Sequence, residues 1–208
     1  MSIYVALIAA VVPAYVLGGL NGAIITSSVL YRKDIRKYGS GNPGLTNFYR
    51  VFGKAGTLLV IAIDVFKTVA PVLFGGWLLG HYFEMLLLGH AISGFFVMLG
   101  HCFPVFYNFK GGKAIMAAGV VLIVMDWRIA IISWGTFILV LVLTRYVSLG
   151  SMIGTAMFPP AMLLLNIGGT YEVIAMTMCA VLLIARHRAN IKRLVMGKES
   201  KFSFRRNK

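Results

Sequence analysis

The chain reads as an all-α, polytopic integral membrane protein, and three observations carry that expectation. Hydrophobic residues make up 59% of its 208 positions, with a mean hydropathy of +0.86, well above the roughly one-half apolar composition of soluble domains. Residues 3–30 hold no charge, a run longer than the ~20 residues an α-helix needs to cross ~30 Å of hydrocarbon. Basic residues crowd between the apolar runs rather than within them.

Breaking the sequence at charged and Gly/Pro-rich stretches gives seven spans, near residues 3–30, 57–80, 84–103, 113–126, 128–145, 151–167 and 172–186. No basic leader or small-residue cleavage site precedes the first, so it is read as a retained helix. An odd number of spans puts the termini on opposite sides. The C-terminal tail carries Arg186, Arg188, Lys192, Arg193, Lys198, Lys201, Arg205, Arg206 and Lys208, which predicts a cytoplasmic C-terminus and an external Met1. With that orientation 18 of the 20 basic residues lie inside, the exceptions being Lys67 and Arg128. The whole chain reads as a single seven-helix domain, residues 1–208, without repeat or low-complexity tract.

The net charge of +14 follows from this positive-inside pattern and needs no nucleic-acid partner. Cys102 and Cys179, in or beside apolar spans without ligand spacing, read as structural thiols. The fourth span has only 12 residues between Lys113 and Asp126, about 18 Å of helix. Either the FKGGK loop at 109–113 dips below the membrane surface or the helix extends past its charged ends. Pro159 and Pro160 interrupt the sixth span, where a helix kinks or starts anew. Irregular backbone at membrane depth is tolerated only inside protein or along a water-filled cavity, so a polar pocket open to the cytoplasm is expected.

The segments that carry chemistry share the inner side. The first inner loop, GSGNPGLTNFYRVFGKAG at 39–56, combines glycines with Ser40, Asn42, Thr46, Asn47, Arg50 and Lys54. Glycines let backbone N–H groups approach a ligand, small polar side chains donate hydrogen bonds, and cations neutralise charge, which suits an oxyanion. The second, GHCFPVFYNFKGGK at 100–113, delivers Lys110, Gly111, Gly112 and Lys113 to a helix start, where free N–H groups and the dipole attract phosphate. It is no Walker A loop, since Tyr107 and Ala114 stand where glycine and a hydroxyl residue belong. The third inner segment is read as the turn SLGS, Ser148 to Ser151, and the last as RHRANIKRLVMGKE at 186–199, with His187 and Asn190 on one helical face.

Within the membrane, Asp64 and Lys67 lie three apart and can pair on one helix face. His90 and His101, eleven apart, share a face of the third span, without the carboxylate or cysteine spacing of a metal site. The chain has no HxxxxD pair, no GxSxG and no aspartate cluster to hold Mg²⁺. No metal or cofactor is expected.

The motifs GSGNPGLTNFYR at 39–50, GHCFPVFYNFKGGK at 100–113, SLGS at 148–151 and HRANIKRLVMGKE at 187–199, with DVFK at 64–67, together resemble the bacterial acyl-phosphate:glycerol-3-phosphate acyltransferase family, the PlsY type. The resemblance implies transfer of a fatty acyl group from acyl phosphate to the sn-1 hydroxyl of glycerol 3-phosphate in the bacterial inner membrane, with the site on the cytoplasmic side. It places in the site His101, His187, Ser148 and Asn190 as catalytic candidates. Ser40, Asn42, Thr46, Asn47, Arg50, Lys110, Gly111, Gly112, Lys113 and Ser151 become substrate-binding candidates. Ala114 stands where that family carries glycine. The competing expectation is a small permease for phosphate-bearing solutes, which would use the same loops as a translocation site.

Overall fold

A computed structural model describes residues 1–202, so Arg205, Arg206 and Lys208 of the basic tail lie outside the described residues. The described residues are helical, without strands. They cluster into two compact units, one of residues 1–125 and one that begins at Asp126.

The first unit begins with α1 (Ile3–Gly18) and α2 (Gly22–Tyr31), joined by a break at 19–21 inside what reads as one span. Asn21 makes the break: its side-chain oxygen accepts the Ile24 N–H and caps α2. One face of α1 is a ladder of small residues at every fourth position, Ala6, Ala10, Ala14 and Gly18, all buried. Small residues let membrane helices approach backbone to backbone. Ala6 and Ala10 pack with Leu78 and Leu79 of α4 (Thr57–Phe83), while Gly18 abuts the Val97 backbone of α5 (Leu86–Cys102). The α4–α5 contact uses the same device, with Gly75 and Gly76 seated on Gly89, His90 and Ser93.

Residues 39–56 are not loop throughout, as the sequence reading has them. Leu45–Phe52 forms a helix, α3, because Phe48 and Phe52, one turn apart, bury against Tyr31 of α2. The unit closes with α6 (Ile115–Met125). This helix does not extend past Lys113 or Asp126, so its 11 residues reach only about 16 Å. Of the two alternatives for the short span, the helix therefore takes neither charged end into itself, and the FKGGK segment stays an irregular loop folded against α5.

In the second unit, α7 (Trp127–Thr144) leads into α8 (Val147–Ala156) and α9 (Phe158–Leu164), then α10 (Thr170–Arg186) and α11 (Arg188–Val195). SLGS is not a turn. Ser148 to Ser151 lie inside α8, whose Gly150 and Gly154 bring its backbone onto Phe137 and Ser133 of α7. Ser133 adds a hydrogen bond of 2.8 Å to the Gly154 carbonyl. The next helix starts anew at Phe158, with prolines in its first turn where no N–H is needed.

Four segments are long and apolar enough to cross a bilayer: Ile3–Tyr31, Thr57–Phe83, Leu86–Tyr107 and Trp127–Thr144. Two more are bent helix pairs, α8 with α9 at 40° and α10 with α11 at 55°. The remaining span of the sequence reading is α6, shorter than these.

Candidate functional site

In the first unit the two glycine-bearing loops interlock. Asn47, buried on α3, spends both ends of its amide on loop backbone, accepting the Ser40 N–H at 2.9 Å and donating to the Tyr38 carbonyl at 3.0 Å. Its place is to shape the loop. Gly39 permits this arrangement: its φ of +58° is left-handed, and a side chain there would collide with the Asn47 carbonyl oxygen. Gly39→Ala is expected to lose about 1–3 kcal/mol of stability through strain and the broken Asn47 contact, read as a lower unfolding midpoint in detergent.

Thr46 and Arg50, four apart, share the exposed face of α3, opposite buried Phe48. Ser40 is exposed and Asn42 half-buried. The Pro43 carbonyl, between these residues and α3, accepts a hydrogen bond of 3.0 Å from the Asn21 side chain.

The second loop turns sharply through Asn108 and Phe109, both left-handed, and folds back on the last turn of α5. The Gly112 N–H donates to the His101 carbonyl at 3.1 Å. No side chain fits at either glycine. A Cβ on Gly111 would strike the His101 carbonyl and Pro104, and one on Gly112 would strike His101 Nε2 and lie 2.9 Å from the Pro43 carbonyl. Gly112 is thus the point where the first loop, the second loop and His101 adjoin. Lys110 is exposed and Lys113 half-buried, flanking these two buried glycines.

Beneath His101 lies a buried polar chain. Asp64 Oδ1 accepts the Gly22 N–H at 3.1 Å and pairs with Lys67 Nζ at 2.8 Å, and the same ammonium stands 2.8 Å from His101 Nδ1. The pairing of Asp64 with Lys67 follows from their spacing. Its extension to His101, 34 residues on, has no local signal. Arg36 also ties the two loops, pairing with Asp34 at 2.8 Å while its guanidinium rests on the Tyr107 ring at 5.7 Å. That guanidinium holds the Asp34 carboxyl below the usual carboxylate range.

The second unit assembles Ser148 and Asn190 on a residue the sequence reading passed over. Glu199 Oε1 accepts the Ser148 hydroxyl and the Asn190 amide, each at 2.6 Å, and Oε2 accepts Arg193 Nε at 2.7 Å. Burial pushes the Glu199 carboxyl up, but the donors from Ser148, Asn190 and Arg193 outweigh it and hold the group below its usual range. A depressed folded-state pKa gives stability that is complete above the unfolded value of about 4.3 and is lost as pH falls through the folded one. Acid titration of the wild type should therefore show a loss of stability below about pH 4.3 that Glu199→Gln lacks.

His187 and Asn190 do not share an unbroken helix. His187 sits at the bend between α10 and α11, where its Nδ1 donates to the Leu183 carbonyl at 2.8 Å. Ser151 turns its hydroxyl back to the Val147 carbonyl at 2.9 Å, inside α8. Among the described residues no group of three or more His, Cys, Asp or Glu side chains stands together as a metal site requires.

Apolar helices that pack through small residues, with glycine loops and cations at their ends, define an all-helical integral membrane protein. Residues 8–197 match the glycerol-3-phosphate acyltransferase family. A glycerol-3-phosphate acyltransferase of Thermoanaerobacter pseudethanolicus is 41% identical over 191 residues, covering 90% of this chain and 91% of that protein. The Ralstonia pickettii protein of the same description is 37% identical and covers 97% and 96%. Among solved structures, PlsY (YgiH), an integral membrane glycerol 3-phosphate acyltransferase, superposes with a TM-score of 0.83 at 30% identity in its glycerol 3-phosphate form, over 95% of this chain and 96% of that one. Its lysophosphatidic acid form gives a TM-score of 0.82 at 28% identity, over 95% of each chain. The chain belongs to the glycerol-3-phosphate acyltransferase family, and its structure is of the PlsY type.

Proposed function

We propose that this protein transfers a fatty acyl group from acyl phosphate to the sn-1 hydroxyl of glycerol 3-phosphate, releasing phosphate and lysophosphatidic acid, the first step of phospholipid synthesis. The observation that carries the reading is the seat of Gly112, a side-chain-free loop pressed between His101 and the Pro43 carbonyl with Lys110 and Lys113 beside it in sequence. Both substrates bear phosphate, and the relative's two forms carry the acceptor and the product of such a transfer.

Acyl phosphate is an activated mixed anhydride, so positioning and charge neutralisation supply most of the rate without a covalent enzyme intermediate. The Lys110–Gly111–Gly112–Lys113 loop holds the acyl phosphate. Arg50, with Ser40, Asn42 and Thr46, takes glycerol 3-phosphate, on a loop that Asn47 shapes. Ser148, Ser151, His187 and Asn190 of the second unit serve the same transfer. His187 of the second unit donates from Nδ1 to the Leu183 carbonyl, and a substrate phosphate oxygen can take the acceptor's proton.

Charge asymmetry supports seven spans with an external N-terminus, a cytoplasmic C-terminus and the site on the cytoplasmic face of the bacterial inner membrane. The count takes α1 with α2 as one span, each bent pair as one, and α6 as the short seventh. The whole chain then works as a single membrane acyltransferase domain.

Arg50→Ala, Lys113→Ala and His187→Ala are each expected to lower phosphate release from acyl phosphate plus glycerol 3-phosphate by about 100-fold. Near wild-type turnover in all three would reject the assignment. Movement of labelled glycerol 3-phosphate across vesicles without phosphate release would reject the reaction itself.

A further inference from the structure

We infer that Lys67, held by Asp64, fixes His101 in one tautomer, with its proton on Nε2, so that His101 serves the transfer as a hydrogen-bond donor at the Gly111–Gly112 loop and takes no proton. Lys67 and Asp64 are then positioning residues for this site, acting through His101.

A carboxylate has no proton to give, and Asp64 Oδ1 accepts from both the Gly22 N–H at 3.1 Å and Lys67 Nζ at 2.8 Å. The 2.8 Å contact between Asp64 and Lys67 is that of an ion pair, carboxylate with ammonium, in a site where both side chains are almost wholly buried. An ammonium donates only. The 2.8 Å contact from Lys67 Nζ to His101 Nδ1 therefore requires a lone pair on Nδ1, which places the ring proton on Nε2. A doubly protonated ring is excluded by the same contact, because it would set N–H against N–H beside a buried cation.

His101 Nε2 is among the atoms that a Cβ on Gly112 would strike, so the protonated edge of the ring faces the backbone of the loop that carries Lys110 and Lys113. A donor there suits the phosphoryl or carbonyl oxygen on which negative charge grows as acyl transfer proceeds. His187 is held the opposite way, with Nδ1 donating to the Leu183 carbonyl, so His101 and His187 are set for different tasks. Asp64, Lys67 and His101 reach this arrangement from two helices, α4 and α5, and the glycine at 112 leaves the room for it.

The role given to His101 rests on the acyl-transfer reading, but its tautomer does not, and the test separates the two. Nitrogen-15 NMR of histidine-labelled protein in detergent, with the His101 signals assigned by their loss in His101→Gln, reads the protonation of each ring nitrogen without substrate. The expected wild-type result is an unprotonated Nδ1 and a protonated Nε2 at neutral pH. A protonated Nδ1, alone or in a doubly protonated ring, would overturn the inference whether or not any variant folds. The Asp64→Asn/Lys67→Met double variant removes both charges together and should show His101 as a mixture of tautomers. Its kcat should fall about ten- to a hundredfold, with KM for glycerol 3-phosphate changed far less. An unchanged tautomer ratio in the double variant would show that Lys67 does not set it. Should acyl phosphate prove not to be a substrate while the spectrum is as expected, the functional reading fails and the tautomer assignment stands.

Discussion

Replacing Gly112 by alanine is expected to abolish measurable turnover, a loss of at least about 100-fold, while the apolar helices keep their packing. The added methyl would strike His101 Nε2 and crowd the Pro43 carbonyl, so the loop must lift away from α5 and the Gly112 N–H bond to the His101 carbonyl must break. Backbone and a ring fixed from below cannot yield as the tip of a flexible side chain can. Phosphate release from acyl phosphate in the presence of glycerol 3-phosphate measures the effect, and circular dichroism of the same sample reports the helices. Activity within about threefold of wild type would show that the loop does not work in the conformation described.

The second large effect lies in the buried pair. Asp64→Ala or Lys67→Ala alone is expected to destabilise the protein by about 3–5 kcal/mol, because each leaves a full charge unpaired among apolar helices. Removing both charges together in Asp64→Asn/Lys67→Met should cost less than either single change, since no uncompensated charge remains. Thermal unfolding in detergent micelles decides between these. If the double variant is destabilised by the sum of the single ones, the pair is not coupled as its 2.8 Å separation implies.

What the sequence could reveal followed the range of its physics. Apolar runs located every candidate span, and the i,i+3 spacing of Asp64 and Lys67 foretold their pairing. The broken sixth span was legible in Pro159 and Pro160, since two adjacent rings without an N–H fit best in the first turn of a new helix. Two segments misled. Gly150 made SLGS look like a turn, yet a glycine in a membrane helix is as often a packing surface, and here it seats α8 on Phe137. Turn residues at 39–44 concealed α3, although Phe48 and Phe52 already had helical spacing.

In the site, the glycine loops and their polar residues were visible as motifs, whereas the bonds that organise them were not. Glu199 lies 51 residues from Ser148 and nine from Asn190, and a lone carboxylate after a basic helix carries no periodicity to single it out. The same holds for the Lys67 contact with His101, because the crossing of two helices is decided by small residues along their whole length. Asn47 was visible as a polar loop residue, and only its two backbone partners show that it braces the loop.

The brevity of α6 has a consequence for the proposed acyl-phosphate donor. A helix of 11 residues covers roughly half of a ~30 Å hydrocarbon layer, so under the proposed seven-span arrangement the glycines ahead of it would be sunk toward the acyl region instead of riding at the headgroups. A donor whose reactive end must reach them can leave its tail dissolved among neighbouring lipids. Drawing that tail into water would cost about 0.8 kcal/mol for every methylene withdrawn, and a recessed loop removes the need.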